Sequence, residues 1–290
     1  MKSIKNSFLP IISILLFLSL SVDNLHAQND EPLKMMTFNI RYDNTMDTLN
    51  PWTVRKDWVV QLLKKYNANI VGLQEALNHQ MEYIEEHLPQ YNWVGVGRDD
   101  GKKAGEYVSI LYKKEQFELL EHNHFWLSKT PEQAGSKSWR ALPRMVTWAK
   151  LKDKTKEEVF FVFNTHFDHH SRKARRKSAR LLLEYIPNIA GENFSIVLGD
   201  FNALPHTKPY LELARTLEDT HHLSEDASRS SVFTFHGFGS KKSTKYRTID
   251  YIFITDEQKM RVLKHTVIID EWKGKYPSDH FPVMATMGWK

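Results

Sequence analysis

Five times along the chain, a mostly apolar run or a tight turn ends abruptly in an amide, an acid or an imidazole. The segments are Met36-Thr37-Phe38-Asn39, Val71-Gly72-Leu73-Gln74-Glu75, Val162-Phe163-Asn164-Thr165-His166, Val197-Leu198-Gly199-Asp200-Phe201-Asn202 and Ser278-Asp279-His280. A sixth, Thr248-Ile249-Asp250-Tyr251-Ile252, sets one carboxylate inside an apolar strand. Desolvating a carboxylate is costly unless it is paired or binds a cation. One such residue is an ordinary structural feature. Six in a single chain call for a fold that gathers strand ends at one place, and layered α/β folds build their sites at strand ends.

The periodicity agrees with such a fold. Leu33 to Ile40, Ile70 to Leu73, Trp93 to Val96, Val108 to Tyr112, Phe117 to Trp126, Met145 to Leu151, Val159 to Phe163, Ile196 to Leu198, Ile249 to Ile254, Val262 to Ile269 and Val283 to Met287 read as strands. Trp52, Trp58, Val59, Leu62, Leu63 and Tyr66 recur at helical spacing behind Asn50-Pro51. Leu77, Met81, Ile84 and Leu88 mark a second helix that Pro89 stops, and Ala174 to Ile186 a third with a basic outer face. Strands and helices interleave, which predicts α/β layers. Many strands follow one another without a helix between them, so the sheets should be mixed. No short repeat or low-complexity linker divides residues 28–290, which read as one domain.

Hydrophobic residues make up 41% of the 290, enough to fill a sizeable core and to exclude wholesale disorder. The net charge of +5 suits a polyanionic partner without demanding one. Cysteine is absent, which excludes disulfide scaffolds, thiolate metal sites and cysteine nucleophiles. A bound metal would need oxygen and imidazole ligands, pointing to Mg²⁺, Mn²⁺ or Ca²⁺, with zinc conceivable through histidine.

Lys2 and Lys5 precede an apolar stretch, Phe8 to Leu20, and a polar patch then leads to Leu25-His26-Ala27. That order predicts a signal peptide over residues 1–27, cleaved after Ala27, and a secreted or periplasmic protein. A retained N-terminal anchor is the alternative. The stretch is shorter than the ~20 residues that span a bilayer, and no later one reaches that length, so no stable membrane span is expected.

The order Asn39, Gln74-Glu75, Asn164-Thr165-His166, Gly199-Asp200-Phe201-Asn202, Ile249-Asp250-Tyr251 and Ser278-Asp279-His280 resembles the endonuclease/exonuclease/phosphatase superfamily from about residue 33 onward. Each motif is weak alone; the set in order is specific. The resemblance implies a four-layer sandwich of two packed mixed β-sheets flanked by helices, and metal-assisted in-line hydrolysis of a phosphoester. Carried onto matching positions, it makes Glu75 the ligand of the essential divalent ion, with Asn39 and Asp279 close by. Asp200 and Asn202 would orient or activate the attacking water. His280 would pair with Asp250, and His166 would contact the phosphate or the leaving oxygen. Glu106 resembles the acid that supports His166. Arg144 resembles a strand-start arginine reaching the same site. Asp168, Arg175 and Tyr107 complete the expected substrate contacts.

These roles suit the chemistry, because an anionic phosphoester repels hydroxide until a cation neutralises its oxygens. A competing pattern, His166-Phe167-Asp168-His169-His170, nearly matches the His-x-His-x-Asp-His motif of metallo-β-lactamase-like hydrolases. Its first histidine falls at Asn164, which cannot replace imidazole on zinc. The resemblance implies an enzyme of the phosphodiesterase or nuclease type, and the expected substrate is a phosphoester: nucleic acid, nucleotide, lipid head group or sugar phosphate. A monomer is expected. The remaining alternatives are a catalytically silent phospholigand-binding module, and a phosphomonoesterase or sphingomyelinase-type lipid phosphodiesterase.

Overall fold

In the computed structural model, which describes residues 31–226, 233–239 and 247–290, the chain forms two six-stranded sheets. The expected signal peptide lies outside the described residues. With strands numbered along the chain, the first sheet runs Met260–Val267 (β11), Val283–Trp289 (β12), Leu33–Asn39 (β1), Ile70–Ala76 (β2), Tyr107–Lys113 (β4) and Tyr91–Val94 (β3). The second runs Phe117–Trp126 (β5), Met145–Asp153 (β6), Val159–His166 (β7), Ser195–Asp200 (β8), Asp250–Ile254 (β10) and Glu218–Asp219 (β9). β1 pairs with β2 in parallel, as does β7 with β8, and antiparallel pairs complete both sheets. Both sheets are therefore mixed, as the strand order along the chain requires.

Helices cover the outer faces. Trp52–Tyr66 (α1) and Asn78–His87 (α2) bury Val59, Leu62, Met81 and Ile84 against Met36, Phe38, Val71 and Leu73. Arg172–Ala190 (α3) and Lys208–Leu213 (α4) bury Leu182, Ile186 and Leu213 against Phe161, Phe163 and Val197. Between the sheets lie Met35, Ile70, Ile110, Leu151, Phe160, Val162, Ile196, Leu198 and Ile252. The result is the four-layer sandwich. Among the described residues no helix is long and apolar enough to cross a membrane.

Side chains alternate along a strand, so each strand sends one row between the sheets. Those rows change character at one end. In β1 the row is Leu33, Met35, Thr37, Asn39; in β7, Phe160, Val162, Asn164, His166; in β8, Ile196, Leu198, Asp200. β10 runs the opposite way, and its register sets Asp250 opposite Asp200. The parallel partner β7 sets His166 opposite Asp200 from the other side. The polar ends therefore meet at one edge of the sandwich.

A buried amide layer ties the sheets together just beneath that edge. Asn164 donates from Nδ2 to the carbonyls of Leu73 and Ser109, both at 2.8 Å, in the opposite sheet. Its Oδ1 accepts from Gln74 Nε2 at 2.7 Å, and Gln74 also donates to Thr37 Oγ1 at 3.0 Å. Gly72 lets the sheets close here, since a Cβ on it would fall 1.9 Å from Leu198 Cδ1. Asn164 is thus a tie between sheets, which explains why the imidazole of the competing zinc motif is missing at that position.

Most expected elements form, with displaced ends. β7 extends three residues past Phe163 because its polar end stays in the ladder with β8. α3 runs on to Ala190 with Pro187 inside its last turn. α4, β9 and Thr220–Leu223 (α5) are too short to show a period. Replacing Asn164 by leucine takes the Asn164 amide from the Leu73 and Ser109 carbonyls and one acceptor from Gln74 in a dry layer. It should lower the unfolding free energy by about 2–4 kcal/mol in urea denaturation; an unchanged midpoint would show that the amide layer does not hold the sheets.

Candidate active site

Glu75 reaches the edge by a backbone device. Strict alternation would turn it outward with Val71 and Leu73. A bulge between Gln74 and Ala76, with Glu75 at φ 64°, redirects it. Its Oε1 accepts from Asn39 Nδ2 at 3.0 Å and its Oε2 from the Tyr42 backbone N–H at 3.3 Å. The same Asn39 Nδ2 donates to Asp200 Oδ2 at 3.1 Å, so one amide links an acid of each sheet. The Asn39 oxygen accepts from the Arg41 N–H at 3.0 Å. Asn39, an expected ligand, thus presents its N–H groups to the acids.

Arg41 sits between Glu75 Oε2, at 3.7 Å, and Asp279 Oδ2, at 4.0 Å, while Asp47 clamps its guanidinium through two bonds of 2.8 and 3.1 Å. Glu75, at the β2 bulge, and Asp279, in the turn before β12, therefore face one cation. Ser278 donates to the Asn39 carbonyl at 2.6 Å, which docks the Ser278-Asp279-His280 turn on the end of β1. His280 Nδ1 lies 3.0 Å from Asp250 Oδ2, and its Nε2 lies 3.8 Å from Asp200 Oδ2. Asp200 Oδ1 accepts from the Asn202 N–H at 2.9 Å, with Asn202 in the left-handed region at φ 47°. His166 Nε2 lies 3.2 Å from Asn202 Nδ2 and 3.5 Å from Asp200 Oδ2.

Burial and charge sort these groups. Burial opposes ionisation of Glu75, yet the Asn39 bond and the charges of Arg41, His280 and Arg144 hold its pKa below the usual range. Burial beside the Asp250 charge pushes Asp200 up to about 7. Burial with the Glu75 charge nearby raises Glu106 to about 6. Burial also raises Asp279, with the Glu75 charge adding to it. Desolvation works against a charge on His280, but Asp250, Asp200 and Asp279 outweigh it and push its pKa up to about 10. Burial and the Arg144 and Arg98 charges drive His166 well below the usual histidine range. One edge therefore holds an ionised acid, a carboxylate poised near neutrality, a cationic imidazole and a neutral one.

Among the described residues, two triads have ligand atoms within 4.8 Å of one another: Glu75, Glu106 and His166, and Asp200, Asp250 and His280. Their donors are oxygen and imidazole, which suits a hard divalent ion. In the second triad Asp250 and His280 are engaged with each other, which leaves Glu75 as the anchor, with Asp279, Asn39 and Asp200 around it.

Three expected substrate contacts are engaged in the scaffold. Asp168 accepts three backbone N–H groups, from Leu142 at 3.0 Å, His170 at 3.0 Å and Ser171 at 2.6 Å. Arg175 donates to the Asp168 carbonyl at 2.8 Å. The Tyr107 hydroxyl binds Asn78 and the Lys102 carbonyl. Glu106 lies 3.6 Å from His166 Nδ1, but its short contact, 2.6 Å, is with Arg98. Arg144 occupies the place beside the ring, 2.7 Å from Nδ1.

Sequence reasoning missed two arginines. Arg98 lies in a loop without periodicity. Arg55 is fully buried and donates to the carbonyls of Ile40, Arg41, Asn50 and Pro277, locking the loop after β1 to the Asp279 turn. A signal was present, since Arg55 stands on the apolar stripe of α1, three residues after Trp52 and four before Val59.

The raised pKa of His280 has a thermodynamic sign. Between its ordinary value of 6.5 and about 10, the folded protein keeps a proton that the unfolded chain releases. Its stabilising contribution is complete below the lower value and disappears as pH rises toward the upper one. In EDTA, the stability advantage of wild type over His280→Gln should shrink from pH 6.5 to pH 10; an advantage that grows across that window would refute the pairing.

Residues 36–280 match the Endonuclease/Exonuclease/phosphatase family. An endonuclease/exonuclease/phosphatase from Bacteroides vulgatus is 37% identical, with a TM-score of 0.83 over 89% of this chain and 99% of that one. A mannosyl-6-phosphatase from Bacteroides thetaiotaomicron is 32% identical, with a TM-score of 0.82 over 88% of this chain and 99% of that one. The 3'-5'-exoribonuclease subunit Ccr4 of the CCR4-Not complex from Mycosarcoma maydis is 25% identical over 65% of this chain and 37% of that protein. The chain thus spans well under half the length of that curated relative. The match over most of the sequence, the two mixed sheets and the ordered motifs identify the chain as a member of the Endonuclease/Exonuclease/phosphatase family of hydrolases.

Proposed function

We propose that this chain is a divalent-metal-dependent phosphoester hydrolase that directs water in line at phosphorus. The observation that carries this reading is the convergence of Glu75, Asp200, Asp250 and Asp279 from both sheets around Asn39, His166 and His280. Glu75, with Asp279, would hold Mg²⁺, Mn²⁺ or Ca²⁺, Asn39 steadying Glu75 through its N–H, and the ion would neutralise phosphoryl oxygens. Asp200, poised near neutrality and fixed by Asn202, takes the proton of the attacking water. The His280–Asp250 pair supplies a fixed positive charge to the phosphoryl group. A silent binding module is the weaker reading, because binding alone gives no reason to retain so many costly buried acids.

For substrate we favour a phosphate monoester on a sugar. The mannosyl-6-phosphatase likeness, at 32% identity, spans nearly the whole of that chain. The exoribonuclease likeness favours a nucleic-acid phosphodiester as the second reading, at 25% identity over 37% of that protein. Purified protein with Mg²⁺ or Mn²⁺ should release phosphate from sugar 6-phosphates faster than it cleaves RNA, plasmid DNA or an aryl phosphodiester. EDTA should abolish turnover, added metal should restore it, and Glu75→Gln should lower it by about 10³-fold or more. Metal-independent turnover, or full activity in Glu75→Gln, would overturn the assignment; faster RNA cleavage would select the second reading.

We also infer export, from the basic, apolar and small-residue order of residues 1–27. N-terminal sequencing of the extracytoplasmic protein should begin at Gln28; a start at Met1 would indicate a retained anchor.

A further inference from the structure

Asp47 spends both carboxylate oxygens on one guanidinium. Its Oδ2 accepts from Arg41 Nε at 2.8 Å and its Oδ1 from Nη2 at 3.1 Å, the two-bond geometry that arginine prefers with a carboxylate. The third nitrogen, Nη1, faces Glu75 Oε2 at 3.7 Å, and Nε lies 4.0 Å from Asp279 Oδ2. Both distances exceed hydrogen-bond reach. Arg41 thus stands just outside bonding distance of two acids.

Only the side chain of Arg41 is free to close that gap. Its backbone, in the left-handed region at φ 59°, is fixed on both sides. The N–H donates to Asn39 Oδ1 at 3.0 Å, and the carbonyl accepts from Arg55 Nη2 at 3.1 Å and Gln80 Nε2 at 3.2 Å. Asp47 is fixed in a turn, where its N–H donates to the Asn44 carbonyl at 3.0 Å and its carbonyl accepts from the Asn50 N–H at 2.8 Å. Arg55 Nε then donates to the Asn50 carbonyl at 2.8 Å, so one buried arginine braces both halves of the Asp47–Arg41 pair. Met46 and Leu49 in the same turn are 80% and 77% exposed, so polar bonds and not apolar packing set where Asp47 stands.

Burial works against the charge on Arg41, but the Asp47 bond and the Asp279 and Glu75 charges outweigh it and raise its pKa, so the guanidinium stays protonated. Without Asp47 this cation would turn its fork onto Glu75 or Asp279, the carboxylates already beside it. Oxygen lone pairs bonded to arginine are lost to a metal ion.

We propose that Asp47 is the positioning residue of the metal site, holding the Arg41 guanidinium off Glu75 and Asp279 so that their oxygens remain open to the divalent ion. Arg41 is the ion's built-in competitor, and the Asp47 bond sets how far it competes. The assignment rests on the metal-dependent phosphoesterase reading for the identity of the cation, and it is tested by binding, without turnover.

The test is a double-mutant cycle on the whole chain, read as Mn²⁺ dissociation constants from electron paramagnetic resonance titration at fixed ionic strength. Asp47→Asn should raise Kd about tenfold or more, the factor that one charge-assisted hydrogen bond commands. Arg41→Gln should lower Kd, because the competitor is gone. In the Arg41→Gln background, Asp47→Asn should change Kd less than about twofold, within the error of additivity. Loss of the Asp47 charge alone would instead weaken binding by the same factor in both backgrounds. Asp47→Glu, which keeps the carboxylate, should recover most of the lost affinity. A wild-type Kd in Asp47→Asn, or an equal loss in both backgrounds, overturns the clamp even in an active enzyme. The expected cycle without turnover of any phosphoester overturns the proposed function and leaves the clamp standing; wild type that binds no Mn²⁺ at millimolar concentration overturns both.

Discussion

The site depends on a short amide bridge. Asn164 reaches from β7 into the opposite sheet, takes the Leu73 and Ser109 carbonyls, and receives Gln74 in return. Apolar contact between two sheets is non-directional and tolerates sliding. Hydrogen bonds to named carbonyls do not. This layer sets where the end of β2, carrying Glu75, stands relative to the ends of β7 and β8, carrying His166 and Asp200. One further amide, Asn39, spans the remaining gap by donating to Glu75 and Asp200 together.

Above the amide layer the problem becomes charge. Buried acids in one cleft would repel and take up protons unless cations stood among them. Arg41 serves Glu75 and Asp279, His280 serves Asp250 and Asp200, and Arg98 with Arg144 serves Glu106. Such networks seldom raise stability over apolar packing. Their presence here is better understood through what they do to protonation. Glu75 is kept ionised while Asp200 titrates near neutrality, two behaviours from one residue class set by which cation lies closest. That separation is what a metal anchor and a proton acceptor each require.

Much of this was legible before any coordinates. The abrupt polar endings of apolar runs marked the strand ends, because a period-two row that turns from Met35 to Asn39 has to leave the core at that end. Periodicity also predicted most of the strands and the three long helices, while the two packed sheets were implied by the family resemblance. The outward–inward reversal at Glu75 was not legible, since a bulge depends on pairing partners distant in sequence. Nor was the identity of the group next to His166. Glu106 and Arg144 both lie near in space, and sequence carries no distance that ranks a contact of 2.7 Å above one of 3.6 Å. Asp168, an expected substrate contact, shows the same gap: an aspartate at a tight turn is equally fit to accept backbone N–H groups, and there it accepts three.

The arginines show how the two sheets divide their tasks. In the first sheet, Arg55 and Arg41 act on loops: Arg55 fastens the segment after β1 to the Asp279 turn, and Arg41 stands among the acids that this segment brings together. In the second, Arg144 acts on rings, aligning His166 and His169 from the start of β6. The first arrangement gathers carboxylates suited to a cation, and the second sets the Arg144 guanidinium behind the ring of His166, a positive group suited to an anion. A metal-bound phosphoester is both, a cation held against an anion. A cleft between two sheets can meet each half with a separate wall, and the loops at its rim are then free to vary with the group that the phosphate leaves.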